Sequence, residues 1–111
     1  ADGKQPWRFV RQDLEPFAFA GIWEFAKIAD KEILSACIIV GEPNPLVATV
    51  HDRMPVILMP EDYDRWLNPM TSTAALKAML RALDPELMKA YPVSRAVNSV
   101  KNDTEECIRE V

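Results

Sequence analysis

Apolar and polar residues alternate from Gln5 to Val10, with Trp7 and Phe9 on one face and Arg8 and Val10 on the other. A period of two is the signature of a strand. Asp2-Gly3 stands just ahead, and this pair has hairpin-turn chemistry because glycine accepts the positive φ that a tight turn demands. A hairpin turn needs a strand on each side. The pattern therefore predicts a partner strand upstream of residue 1 and a chain that is part of a larger domain.

From Phe17 to Phe25 the odd positions hold Phe17, Phe19, Gly21, Trp23 and Phe25, and the even ones Ala18, Ala20, Ile22 and Glu24. Both faces are largely apolar, which predicts a central strand covered on both sides. The aromatic stripe is accordingly assigned to the core rather than to a base-stacking platform. A continuous apolar run from Ile33 to Val40 follows a charged turn containing Asp30, Lys31 and Glu32. It reads as a third strand, forming an antiparallel meander with the first two.

Asn44-Pro45 reads as an N-cap with proline at the first helical position, opening a helix of about two turns across Leu46, Val47 and Val50. Pro55 pushes Met54 out of helical geometry, so the chain turns over Asp52 and Arg53 into a strand from Pro55 to Leu58. His51 then falls at the helix C-terminus, beside the negative end of the backbone dipole. Pro60, Glu61 and Asp62 open a further helix whose Tyr63, Trp66 and Leu67 share a face and which Asn68-Pro69 ends. Ser72 or Thr73 caps the next, with Leu76, Met79, Leu80 and Leu83 at helical spacing, and Asp84-Pro85 starts a short third. These apolar faces are assigned to the core. Tyr91 to Val97 reads as a final strand, and no internal repeat, low-complexity tract or linker is evident.

Composition narrows the functional classes. A chain of 111 residues is about one domain. Thirteen Lys and Arg against seventeen Asp and Glu give a net charge of −4, the wrong sign for holding nucleic acid by bulk electrostatics. Any nucleic-acid contact must be local, and the basic residues show no cluster. No run approaches the roughly 18 apolar residues of a membrane span, so a cytoplasmic protein without a membrane partner is expected. Cys37 and Cys107, with a single histidine, provide neither a disulfide framework nor a recognisable zinc site. No metal or cofactor is implied, and no glycine-rich phosphate loop is present. Cys37, within Ser-Ala-Cys-Ile-Ile-Val, is expected to be a small buried apolar residue. Glu61, Asp62 and Asp64 read as N-terminal charges of a helix rather than an acid-base pair.

His51 is the only imidazole. It is either a packing element with both nitrogens satisfied or a proton handler, and residue chemistry alone leaves both open. A Cys-His hydrolase would need one cysteine exposed beside it.

His51-Asp52-Arg53-Met54-Pro55, preceded by Asn44-Pro45-Leu46-Val47, resembles the His-x-Arg-Met-Pro segment of the SOS response-associated peptidase (SRAP) family. Ala20-Gly21-Ile22-Trp23-Glu24 is similar to that family's Ala-Gly-Leu-Trp-Glu strand. Tyr91-Pro92-Val93-Ser94 through Val97-Asn98 resembles its closing strand, and Asn102-Asp103 with Cys107-Ile108 its last turn. The resemblance runs in order along essentially the whole chain. It implies an α+β fold, a curved, largely antiparallel, barrel-like sheet with short peripheral helices, of which residues 1–111 form the C-terminal half.

The resemblance also implies a chemistry. Family members bind single-stranded DNA at an abasic site and attack the ring-opened sugar aldehyde with the α-amine of an N-terminal cysteine, exposed once the initiator methionine is self-removed. The thiol then closes a thiazolidine, a stable DNA-protein crosslink. On the matching motif His51 is the catalytic acid and base, and Arg53 is the DNA-binding residue, its forked donors suited to phosphate. Asp52 is expected to orient His51 or face water. Glu24 does not inherit the family's catalytic glutamate, which belongs to a different segment. The N-terminal Cys-Gly-Arg, the Asn-Ala-Arg segment and the Glu-Trp strand are absent, Ala1 cannot replace the nucleophile, and Val40-Gly41 stand where many members carry threonines. The expected partners are thus abasic single-stranded DNA and the N-terminal half of the same domain, with the chain alone inactive. A non-catalytic binding or scaffold module on the same fold is the alternative.

Overall fold

The alternation around Trp7 is realised in the computed structural model, which describes residues 4–111, as strand β1 (Trp7–Arg11). The Asp2-Gly3 turn lies outside the described residues. β1 pairs antiparallel with the last strand, β8 (Met88–Pro92), from Trp7 opposite Pro92 to Arg11 opposite Met88. The expected meander of the first three strands is therefore not formed. Alternation shows that a segment is a strand and which of its faces is apolar, but does not name its neighbour. The final strand also sits earlier than Tyr91 to Val97. Ser94 takes up extended cap geometry and its hydroxyl accepts from the Ala96 N–H at 3.1 Å, starting a 3-10 turn over Arg95–Asn98.

These residues belong to one of two compact units, built from the chain before Phe17 together with Pro85–Val111. Val10, Met88, Val93 and Cys107 are buried in it. The Tyr91 hydroxyl accepts from the Arg8 guanidinium and donates to the Ile108 carbonyl at 2.9 Å, while Val111 N–H donates to the Pro92 carbonyl at 3.0 Å. At the end of β1 the Glu15 N–H, and after it the Arg11 guanidinium, hold the exposed Asp13 carboxyl below its usual value.

The second unit, Phe17–Asp84, is organised by a junction of three strands, each of which breaks at one residue. The expected strand across Phe17–Phe25 is two strands, β2 (Ala18–Phe19) and β3 (Gly21–Ile28), interrupted at Ala20. The expected Ile33–Val40 strand is β4 (Lys31–Ile38) and β5 (Val40–Gly41), interrupted at Ile39. Pro55 to Leu58 resolves into β6 (Met54–Pro55) and β7 (Ile57–Leu58), interrupted at Val56. Each strand changes partner at its break: β2 pairs with β7, β3 with β4 and β5 with β6, all antiparallel. At the centre the Ala20 N–H donates to Val56 (2.8 Å), the Val56 N–H to Ile39 (2.9 Å) and the Ile39 N–H to Ala20 (3.0 Å). The ring closes on itself, so the three interrupting residues leave no amide unpaired.

Around this ring lies the core, Ala20, Val56, Leu58 and Met79, with Ile39, Tyr63 and Trp66 packed against it. The architecture is α+β and antiparallel as expected, but among the described residues it consists of two-stranded ladders that do not close into a barrel. The aromatic stripe differs more sharply from expectation. Among the described residues β3 pairs only with β4, and Trp23 and Phe25 are 68% and 58% exposed. Cys37 on β4 is exposed as well. An apolar pattern states that a face requires cover, and the described residues do not supply it.

The helical segments are shorter than their apolar spacing suggests. A 3-10 turn, Pro60–Asp62, runs into α1 (Tyr63–Leu67), and α2 (Thr73–Ala78) is capped by the Ser72 hydroxyl, which accepts from the Ala75 N–H at 3.1 Å. Trp66 points inward and its indole N–H donates to the Gly21 carbonyl at 3.2 Å, whereas Leu67, expected on the same core face, is exposed. Five helical residues make little more than one turn, too few to carry a full apolar stripe.

The turn joining β3 to β4 is Ala29-Asp30, with φ of 51° and 65°, so Lys31 and Glu32 lie in β4 rather than in the turn. Two positive φ angles are the geometry of a type I′ hairpin, for which Asn-Gly is far better suited than Ala-Asp. Replacing Ala29 by Asn together with Asp30 by Gly should stabilise the chain by about 1 kcal/mol, read as a higher denaturant midpoint at unchanged slope. An unchanged or lower midpoint would contradict the turn geometry.

Candidate functional site

The segment bearing His51 starts from a buried amide. The Asn44 side chain, in a residue only 4% exposed, accepts the Val47 N–H at Oδ1 (2.9 Å) and donates from Nδ2 to the Leu83 carbonyl (2.8 Å). The Asn44 side chain thus caps the turn as predicted, although the residue directly before the 3-10 turn is Leu46, which makes no side-chain cap bond, and Asn44 also ties the turn to the chain that follows α2. The Ala48 N–H reaches the Asn44 carbonyl at 2.9 Å, and the N–H groups of Val50 and His51 both reach the Val47 carbonyl at 2.9 Å. The helix this opens is shorter than the two turns expected. It is a single 3-10 turn, Val47–Thr49, with Val50 already at φ −122°. Two β-branched valines and a threonine in six residues favour leaving the helix early.

His51 therefore stands where the turn releases the chain. Its Nδ1 accepts the Arg53 N–H at 3.0 Å and lies 3.2 Å from both the Asp52 carboxylate and the Arg53 carbonyl. A nitrogen accepting an N–H carries a lone pair, so in the neutral ring the proton sits on Nε2. Nε2 has no partner among the described residues, and the side chain is 59% exposed. If the ring takes up a second proton, Nδ1–H becomes a donor, and the Asp52 carboxylate and Arg53 carbonyl are within reach to accept it. Partners for both protonation states are thus gathered on Nδ1, while Nε2 is left for exchange with something outside the chain.

Arg53 is exposed, and among the described residues no hydrogen bond or ion pair engages its guanidinium. The next residue, Met54, is buried to 2% and lies opposite Gly41 in the β5–β6 ladder. The exposed segment 48–53, which carries His51, Asp52 and Arg53, is therefore held between two buried anchors, Val47 and Met54. A cavity of about 300 Å³ is lined by Met54 and Pro55, with Glu42 and Arg81 also on its wall.

The structure does not join the remaining candidates to His51. Trp23 and Glu24 lie on the exposed β3–β4 ladder, and no hydrogen bond links either cysteine to His51 among the described residues. Nor is any group of three or more His, Cys, Asp and Glu placed to hold a metal ion there. Asp62 lies at a helix N-terminus as read from sequence, and it is also a buried carboxylate facing Arg65 at 3.4 Å and Arg81 at 3.8 Å. Its three-residue spacing from Arg65 is visible in the sequence, but the approach of Arg81 is not.

Residues 1–100 match the family described as SOS response associated peptidase (SRAP), and the chain belongs to that family. It is 42% identical over 107 residues to the abasic site processing protein YoqW of Bacillus subtilis, covering 95% of this chain and 48% of that protein. It is 30% identical over 112 residues to the abasic site processing protein YedK of Escherichia coli, covering 99% of this chain and 50% of that one. A crystal structure of a protein from Bacteroides thetaiotaomicron superposes with a TM-score of 0.83 at 31% identity, over 99% of this chain and 50% of the other. The chain thus spans about half the length of these relatives.

Two outcomes follow from the local geometry. Asn44→Ala removes the cap acceptor and strands the Leu83 carbonyl, and should cost about 1–3 kcal/mol of stability in a denaturant titration; a loss within error of zero would contradict the double role of Asn44. Because there is one histidine, its ring resonances are unambiguous. Nitrogen-15 NMR above the imidazole titration range should show the Nε2–H tautomer, and a dominant Nδ1–H tautomer would be inconsistent with the Arg53 contact.

Proposed function

We propose that this chain is the C-terminal half of an SRAP domain and that it contributes His51 and Arg53 to the processing of abasic sites in single-stranded DNA. The observation that carries the reading is the exposed imidazole, its Nδ1 held by the Arg53 N–H and its Nε2 turned outward, within a His-Asp-Arg-Met-Pro segment of a chain that belongs to this family. Relatives named for abasic-site processing support the substrate.

In the proposed reaction the α-amine of a cysteine outside this chain adds to the sugar aldehyde, forming a C–N bond and a hydroxyl on the former carbonyl carbon. Protonation of that hydroxyl by the His51 imidazolium through Nε2 lets it leave as water, giving a protonated imine. The sulfur then adds to the imine carbon and closes the thiazolidine, and the proton released on cyclisation returns to the ring. Asp52 accepts from Nδ1 while the ring is charged. Such proton transfers contribute typically ~10²–10⁴ in rate. Arg53 takes one backbone phosphate, a local contact compatible with the net charge of −4. Among the described residues no helix is long and apolar enough to cross a membrane.

The test is a chimaera in which this chain replaces the matching half of YoqW, incubated with single-stranded DNA carrying an abasic site. The chimaera should form a denaturation-resistant adduct and the isolated chain should form none. His51→Ala should slow adduct formation by about 10²-fold or more. Arg53→Ala should weaken binding and reduce the slope of log affinity against log salt by about 0.7. Adduct kinetics untouched by His51→Ala would remove the role assigned to the imidazole.

A further inference from the structure

The β3–β4 hairpin presents apolar side chains on both faces. Trp23 lies opposite Ala36 and Phe25 opposite Leu34 on one face, Ile22 opposite Cys37 and Ala26 opposite Ile33 on the other. Trp23, Phe25, Ile22 and Leu34 are all more than half exposed, and the two aromatic rings meet edge to face at 5.5 Å. Near the turn Lys27 lies opposite Glu32, so that end of the ribbon is charged rather than apolar. A two-stranded ribbon is marginal in water on its own, and a sheet apolar on both faces is ordinarily covered on both. The outer edges of β3 and β4 beyond the junction pair with no other strand among the described residues, a ready template for a further strand.

We propose that this hairpin is the docking surface for the other half of the SRAP domain, which covers both its faces and adds a strand to one of its edges. The inference rests on the half-domain reading above and names the surface involved. The occupant follows from the comparisons: the Bacteroides structure holds this fold in 50% of a single chain, leaving a similar length of polypeptide to cover the ribbon. A second copy of this chain fits less well. In a two-fold dimer made through this hairpin each ribbon covers the same face of its partner, and the opposite apolar face stays in water.

The experiment mixes the full chain with the half of YoqW that it does not match, produced separately, and needs no DNA. A one-to-one complex is expected by light scattering, with slowed amide exchange across residues 22–37 and reduced iodide quenching of tryptophan fluorescence. Trp23→Glu and Phe25→Glu, on one face, and Ile22→Glu, on the other, should each weaken the complex at least tenfold, each variant being checked by circular dichroism for an unchanged fold. Val100→Glu, at a position 99% exposed in the other unit, should leave it unchanged. A complex that survives all three hairpin substitutions with exchange in the hairpin unaltered overturns the docking surface and leaves the half-domain reading standing. No complex at all overturns both, and a homodimer of this chain abolished by Trp23→Glu overturns the occupant.

Discussion

Three backbone hydrogen bonds arranged head to tail, Ala20 to Val56, Val56 to Ile39 and Ile39 to Ala20, impose the condition that the unit from Phe17 to Asp84 satisfies. A strand that leaves one partner for another exposes an amide and a carbonyl at the crossing point, and burial makes such orphans expensive. With three strands crossing at one place, each orphan amide finds the next strand's orphan carbonyl. Ala20 is fully buried at the centre, where a small side chain lets the three backbones approach. Met79 packs on the residues of the ring, while Tyr63 and Trp66 reach it from α1. The segments on either side of each break are as short as two residues, and the junction holds them where their own ladders would be too brief to do so.

The site inherits its geometry from this arrangement. Val56, one member of the ring, is separated from Arg53 only by Met54 and Pro55, which pair with Gly41 and Val40. On the other side the His51 turn is tied by Asn44 to the Leu83 carbonyl. Of the six exposed residues between Val47 and Met54, the N–H groups of Val50 and His51 are tied back to the Val47 carbonyl and the far end enters the β5–β6 ladder, so an imidazole there is exposed without being loosely placed. Its Nδ1 contact to the Arg53 N–H then fixes the ring orientation. Exposure with orientation is what the acid-base role proposed for His51 requires.

Much of this was legible where the governing chemistry is local. Asn44 and Ser72 are caps because their short polar side chains reach N–H groups three residues on, and Pro55 ends the helical run because its ring excludes helical geometry before it. The His-x-Arg-Met-Pro segment led to the family, and to the tip that the structure leaves exposed. What was not legible depends on partners distant in sequence. Nothing in Gln5–Val10 points to Met88–Pro92 as its neighbour, and nothing in the apolar runs marks Ala20, Ile39 and Val56 as points of exchange. At Trp23, Phe25 and Cys37 hydrophobicity reports the need for cover and not its source. Leu67 is exposed because the helix is shorter than its apolar spacing implies.

Amide hydrogen exchange tests the three-strand ring most directly, because exchange reports the opening of individual backbone bonds. The amides of Ala20, Ile39 and Val56 should be among the slowest of the Phe17–Asp84 unit and should share a common opening free energy, since breaking one bond of the ring exposes the others. If any of the three exchanges as fast as the exposed amide of Asp52, the ring does not hold the unit together and the account fails at its base.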